Sequence, residues 1–273
     1  MVDLAPGSVF AGHRIEGIAG RGGMGVVYEA VHLTLGRRVA LKLIAPEIAD
    51  SSEFRQRFRR ESRIAASLDH PHVIPIYDAG GAGGLVYVTM RFVEGTDLRA
   101  LAPLEPRRAA RVLAQAARAL DAAHARGLVH RDVKPGNVLI EHRDDHDHVF
   151  LTDFGLAKEV SADAGLTPTG NWLGTVDFAA PEQIRGRPVD ARADVYALGG
   201  VLFWALTGRV PYPREDDMAK MLAHLNDPPP SAPGVPPEFD AVIRRAMAKA
   251  PGERFPSAGE LGKAALKATH AET

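Results

Sequence analysis

The densest chemistry in the chain lies in His130-Arg131-Asp132-Val133-Lys134-Pro135-Gly136-Asn137. A carboxylate, a lysine two residues on and an amide five residues on can converge on one phosphoryl group. Asp132 would accept a hydroxyl proton, Lys134 neutralise the phosphate in transfer and Asn137 bind a divalent cation. Asp153, in Asp153-Phe154-Gly155 after the apolar run 149–152, would complete an oxygen-rich magnesium site beside Asn137. Upstream stands Gly20-Arg21-Gly22-Gly23-Met24-Gly25. Glycines at i, i+2 and i+5 let a backbone turn approach phosphates without a Cβ in the way. A dinucleotide fold would follow such a loop with a helix, and a P-loop would end in Gly-Lys-Ser/Thr. Val26-Val27-Tyr28 continues as a strand, so neither fits. Lys42 closes the apolar strand 39–41 and would meet α/β-phosphate oxygens if a carboxylate oriented it; Glu61, on a predicted helix, is the candidate. Taken singly, each of these last two is an ordinary solvated charge and the glycine run an ordinary hairpin.

The elements that must position these groups are legible in outline. Apolar runs at 26–28, 39–44, 73–77 and 85–90 read as strands separated by glycine-rich or polar turns. One helix interrupts them: Ser51 and Ser52 are cap candidates, Phe54, Phe58, Ile64, Ala65 and Leu68 form its apolar stripe, and His70-Pro71 stops it. After Gly95 the texture changes. An alanine-rich amphipathic helix is predicted over 106–126, closed by Gly127; strands return at 138–140 and 149–152. From Asp190 the reading is helical, with Pro/Gly-rich breaks at 209–213 and 227–237. Strands followed by helices predict an α+β fold in two lobes, 1–94 and 95–273, hinged near 91–95. The run Glu141-His142-Arg143-Asp144-Asp145-His146-Asp147-His148 offers three imidazoles for a metal, but between two short strands a solvated hairpin turn is expected. The arginine-rich face of the 55–63 helix reads likewise as a solvated charged face.

Composition sets the outer limits. The 273 residues carry 33 basic and 34 acidic side chains, a net charge of -1, which gives no case for a nucleic-acid binder. Cysteine is absent, excluding disulfides, thiol nucleophiles and cysteine-ligated metals. The N-terminal residues lack the pattern of a signal peptide, and the longest uncharged apolar run, 195–208, is too short to span a bilayer.

In order, the motifs are the glycine loop, Lys42, Glu61, His130-Arg131-Asp132, Asn137, Asp153-Phe154-Gly155 and Ala180-Pro181-Glu182. This set resembles the eukaryotic-like, Hanks-type Ser/Thr protein kinases of bacteria, especially actinobacterial membrane-anchored ones, over about 10–266. The resemblance implies a bilobal kinase fold, with a small antiparallel sheet and one helix in the N-lobe and a larger, mainly helical C-lobe. It implies ATP and magnesium, with manganese able to substitute. Lys42 would pair with Glu61, Asp132 act as base, Lys134 contact the γ-phosphate, and Asn137 and Asp153 hold metal. Gly20, Gly22 and Gly25 would cover the phosphates. Val27, Ala40 and Leu139 would sandwich adenine, Met90 stand as gatekeeper, Val93 join the nucleotide-binding residues, and Asp97 meet ribose. Ala19 and Arg91 depart from the family's usual residues around adenine and the hinge. Lys134 and Thr175 match Ser/Thr rather than Tyr kinases. Thr167 and Thr169 stand where related kinases autophosphorylate, with Arg131, joined by Arg57, receiving the phosphate. Protein substrates with Ser/Thr hydroxyls, a homodimer for autophosphorylation in trans, no nucleic acid, and a cytoplasmic domain preceding a membrane helix and sensor are further implications. Two alternatives are an ATP-binding pseudokinase and a small-molecule phosphotransferase; intact Lys42, Asp132, Asn137 and Asp153 oppose the first, and the Ala180-Pro181-Glu182 region opposes the second.

Overall fold

The computed structural model describes residues 3–49, 52–144, 146–154 and 176–270. The chain divides into two compact units, Met1–Asp69 with Ile74–Glu94, and His70–Val73 with Gly95–Thr273.

The first unit is built on an antiparallel sheet of β1 (Val9–Phe10), β2 (His13–Gly22), β3 (Gly25–His32), β4 (Arg37–Ile44), β5 (Ile76–Ala82) and β6 (Leu85–Arg91), in the order β1-β2-β3-β4-β6-β5. Strand alternation sorts the side chains. Ile15, Val26, Tyr28, Ala30, Val39, Leu41, Leu43 and Tyr87 form a buried cluster on one face. Register places Val27 opposite Lys42, Lys42 opposite Val88, and Ala40 opposite Met90, which puts these five on the other face. The predicted strand at 73–77 is displaced. Pro75 has no N–H to give a ladder, and β5 begins at Ile76, while Val73 instead bridges in parallel to Leu151 in the second unit. Between β4 and β5 come α1 (Pro46–Ala49) and α2 (Ser52–Ala66). Phe54 and Phe58 of α2 are buried one turn apart with rings stacked 5.9 Å centroid to centroid, as the apolar stripe requires.

The second unit opens with β7 (Thr96–Asp97), α3 (Leu98–Leu101) and α4 (Pro106–His124). β8 (Val138–Arg143) and β9 (His146–Leu151) pair as a hairpin, with β7 on the far side of β8. The helices α5 (Pro181–Ile184), α6 (Ala191–Thr207), α7 (Asp217–Asn226), α8 (Pro237–Ala246) and α9 (Ala258–Ala268) follow. The alanines of α4 are its packing surface: they let α9 approach until a Cβ on Gly262 would stand 3.0 Å from the Ala117 Cβ. α4 ends at His124, short of the predicted 126. Gly127, at φ 71°, turns the chain so that the Leu128 N–H returns to the Ala123 carbonyl. α6 is capped by Asp190, whose side chain accepts from the Arg192 N–H, and is buried on nearly all sides; a left-handed Gly208 ends it. No described helix is long and apolar enough to cross a membrane.

The charged run at 141–148 is more ordered than a solvated turn. Both strands continue through it. Asp147 takes a two-pronged ion pair from Arg108 of α4, at 2.7 and 3.1 Å, which holds its carboxyl below the usual range. His142 bonds to Asp147 and His148 to the Pro71 carbonyl, so these two imidazoles have separate partners.

Candidate active site

In the first unit the glycine run is the turn between β2 and β3, Gly22 pairing with Gly25 across Gly23 and Met24. The glycines differ in what they do. A Cβ on Gly25 would fall 1.8 Å from the Leu43 carbonyl oxygen, and its φ is +141°, so packing alone demands glycine there. A Cβ on Gly20, Gly22 or Gly23 would meet nothing within 4 Å. Nothing in the packing explains those three, and what they leave is bare backbone that an anion can approach. Lys42, 6% exposed, lies on the sheet face shared by Val27, Ala40, Val88 and Met90. Glu61 lies half-buried on α2 beside the buried Ser62, and Val93 follows β6 half-buried.

In the second unit the residues of the 130–137 loop are cross-linked by hydrogen bonds. Asp132 Oδ2 accepts from Lys134 Nζ at 2.7 Å. Asn137 Nδ2 donates to the Asp132 carbonyl at 2.8 Å and, more distantly, to Oδ2 at 3.4 Å. The Thr152 N–H donates to the Asn137 carbonyl, tying the loop to the end of β9. His130 is fully buried: its Nε2 donates to the Thr152 carbonyl at 2.9 Å, leaving Nδ1 to accept the Asp132 N–H at 3.3 Å. The His130 ring lies 4.8 Å from that of buried Phe154. Arg131 and Asp153 both adopt the left-handed backbone region, φ 63° and 64°. Side chains other than glycine enter that region at a cost of about 1–2 kcal/mol, so the surrounding contacts hold them there.

The residue that organises the loop is Asp194, within the stretch that the sequence reads only as helical from Asp190. It lies in the first turn of α6 and is 1% exposed. Oδ2 accepts the His130 N–H and Oδ1 the Arg131 N–H, at 2.7 and 2.8 Å, while His124 Nε2 lies 2.7 Å from Oδ2. Gln183 adds a bond from Nε2 to the Arg131 carbonyl. Glu182 is buried in a two-pronged pair with Arg254, 2.6 and 2.8 Å. These partners stand more than 50 residues apart in sequence, and no local spacing signals them.

Leu139 is half-buried on β8, paired with Asp97 and Phe150. Asp97 has local duties as well: its Oδ1 caps α3 through the Arg99 N–H, and its carboxylate pairs with the Arg99 guanidinium. Gly155, Thr167, Thr169 and Thr175 lie outside the described residues.

The donor set of the second unit suits magnesium. Asp153 brings a carboxylate, and Asn137, with Nδ2 committed to Asp132, keeps Oδ1 for a cation. A hard ion completed by phosphate oxygens and water needs few such protein ligands.

An antiparallel sheet with a bare glycine turn and a buried lysine, joined in one chain to a helical unit carrying this loop, defines a phosphotransferase of the protein kinase class. The protein kinase domain family matches residues 13–264, and the chain belongs to that family, in its Hanks-type bacterial Ser/Thr branch. It is 48% identical to the serine/threonine-protein kinase PknD of Mycobacterium tuberculosis, over 97% of this chain and 41% of that protein. It is 46% identical to PknH of Mycobacterium bovis, over 97% of this chain and 45% of that protein. The chain thus spans less than half the length of these curated relatives. The crystal structure of the Mycobacterium tuberculosis PknI kinase domain matches with a TM-score of 0.78 at 33% identity, covering 97% of this chain and all of that one.

Proposed function

We propose that this chain is the catalytic portion of an ATP- and magnesium-dependent kinase that phosphorylates Ser/Thr hydroxyls of proteins. The observation that carries the reading is the fixed trio of Asp132, Lys134 and Asn137, held from the buried Asp194. Bound ATP with magnesium supplies the phosphoryl group and neutralises charge as it transfers. Asp132 orients the acceptor hydroxyl and takes its proton at a carboxylate oxygen. Lys134, already 2.7 Å from that carboxylate, presents its ammonium to the phosphate passing alongside. Asn137 and Asp153 are the metal ligands. Lys42, oriented by Glu61, holds the α/β-phosphates, and Gly20, Gly22 and Gly25 give them backbone N–H groups. Val27, Ala40, Met90, Val93 and Leu139 line the adenine, and Asp97 meets the ribose. Autophosphorylation at Thr167 or Thr169, received by Arg131 and carried out in trans by a second copy, activates the enzyme, and the chain works in the cytoplasm as part of a membrane receptor.

The test is transfer of radiolabelled phosphate from ATP to a Ser/Thr peptide. Asp132→Asn is expected to lower turnover about a thousandfold with an unchanged melting temperature, since phosphoryl transfer depends on positioning and charge. Near wild-type turnover by Asp153→Asn in magnesium would sink the metal assignment. Mass spectrometry after incubation with ATP should find phosphate on Thr167 or Thr169; a fully active enzyme unmodified at both would refute the activation step.

A further inference from the structure

The catalytic reading leaves one strongly charged surface unused. Within its fifteen residues α2 carries five arginines and two glutamates, against a net charge of -1 for the whole chain. Arg55, Arg59, Arg60 and Arg63 are exposed. Among the described residues no acidic side chain pairs with Arg59, Arg60 or Arg63, and Arg55 is tied only through Nε, to the Ala49 carbonyl at 2.8 Å. A hollow of about 850 Å³ along this face is lined by α2 alone, by its arginines with Ser52 and Gln56.

The arginines are spaced as a ladder. Arg55, Arg59 and Arg63 recur every four residues, so they stand on one side of the helix about 6 Å apart along its axis. An extended peptide repeats its same-side residues about every 6.7 Å. Carboxylates or phosphates at alternate positions of an extended strand therefore fall in step with this ladder, and Arg receives such groups with two parallel bonds.

A second feature adjoins it. Arg55 and Arg59 also border a groove of about 250 Å³ lined by Phe58 and the tip of the β5–β6 hairpin, 80–86. That tip reads Gly80-Gly81-Ala82-Gly83-Gly84, so little side chain fills the groove. A Cβ on Gly81 would touch only the Leu85 carbonyl oxygen, at 3.6 Å, and one on Gly83 or Gly84 would meet nothing. The slot is apolar at its base and cationic at its rim.

We propose that the outer face of α2 and the glycine turn of β5–β6 form a docking site for an extended acidic peptide of a partner protein. Its acidic groups, at alternate positions, run along Arg55, Arg59 and Arg63, and one apolar side chain enters the slot over Phe58. A flat anionic membrane would use the arginines but not the recessed slot, which is why a peptide is favoured.

The test measures binding by fluorescence anisotropy on the whole chain, without nucleotide, so that its outcome is independent of catalysis. The probe is a labelled peptide with glutamates at alternate positions about a central phenylalanine. The control has the same composition with its glutamates contiguous. Wild type is expected to bind the alternating peptide saturably and about tenfold more tightly than the control. Arg59→Gln with Arg63→Gln should weaken it about tenfold, and Gly81→Leu, which fills the slot at a backbone angle any residue adopts, should do so separately. Equal affinity for both peptides, or indifference to Gly81→Leu in a variant that melts normally, would reduce the surface to unspecific charge and overturn the proposal. Tighter binding to phosphatidylserine vesicles than to the alternating peptide would assign the face to membranes and overturn it as well.

Discussion

The glycine turn at 20–25 and the loop at 130–137 are proposed to serve one reaction, yet they are built by opposite means. The turn is shaped by what is missing: three glycines leave bare backbone, and only Gly25 is there for packing. The loop is shaped by what is bonded: Asp194 holds the His130 and Arg131 N–H groups, Gln183 the Arg131 carbonyl and the Thr152 carbonyl the His130 ring, while Asn137 ties the Asp132 carbonyl from within. A segment that must close over a variable ligand gains from few fixed contacts, whereas groups that act on one reacting atom gain from many. Substitutions should therefore act differently on the two.

The largest difference is expected at Asp194. Asp194→Ala removes both backbone bonds to His130 and Arg131 and takes away the partner of the half-buried His124 ring. Breaking a buried charged network of this kind costs about 3–5 kcal/mol. Urea unfolding should show that loss, and a change below about 1 kcal/mol would mean the loop holds its shape without the carboxylate.

Next comes the contrast within the turn itself. Gly25→Ala drives a Cβ into the Leu43 carbonyl and should destabilise by about 3 kcal/mol. Gly22→Ala enters open space and should change stability by less than about 0.5 kcal/mol, while raising the KM for nucleotide. Thermal melts paired with nucleotide titrations separate the two, and equal losses of stability would erase the distinction between packing glycine and ligand glycine.

The smallest effect sharpens the comparison through pH. In the second unit His224 is buried beside Lys249, and burial, then the neighbouring ammonium, pushes it down to about 3. It sits at the end of α7, accepting from the Tyr196 hydroxyl at 2.9 Å, while its own carbonyl accepts from Lys249. The unfolded chain binds a proton there below about pH 6.5 that the folded one refuses. Stability is thus intact above pH 6.5 and drains as pH falls toward 3, by about 2 kcal/mol at pH 5. His224→Asn should remove that part of the slope in urea titrations between pH 7 and 5. An unchanged slope would show that His224 is not the group responsible. His72, pushed by burial to about 4, contributes in the same direction and is left in place by this variant.

What the sequence made legible follows the same division. The trio of Asp132, Lys134 and Asn137 was readable because its geometry is set within six residues, and the turn at Gly20 because a strand visibly follows it. Asp194 was read only as a helix residue, since its partners lie 63 to 70 positions away. The bond between Glu182 and Arg254 spans 72. Residues 73–77 were misread because an apolar run says nothing of which neighbour it will join. Pro75 breaks the ladder and Val73 goes to the other unit. Hydrophobic pattern reports burial, but long-range polar pairing is decided only once the chain has folded.

The left-handed backbones of Arg131 and Asp153 bear on how such a protein drifts once selection relaxes. Both positions hold a conformation that glycine adopts freely, and at both the proposed chemistry gives the side chain its task. Exchange to glycine relieves that strain, which offsets part of what the lost side-chain contacts contributed. Chains of this family that no longer need to transfer phosphate thus have a first step that the backbone itself favours, in which the fold persists and the reaction does not. At Asp194 the opposite holds, because there the scaffold itself pays for any change. Surviving folds that have lost their chemistry should thus keep the buried carboxylate long after position 153 has changed.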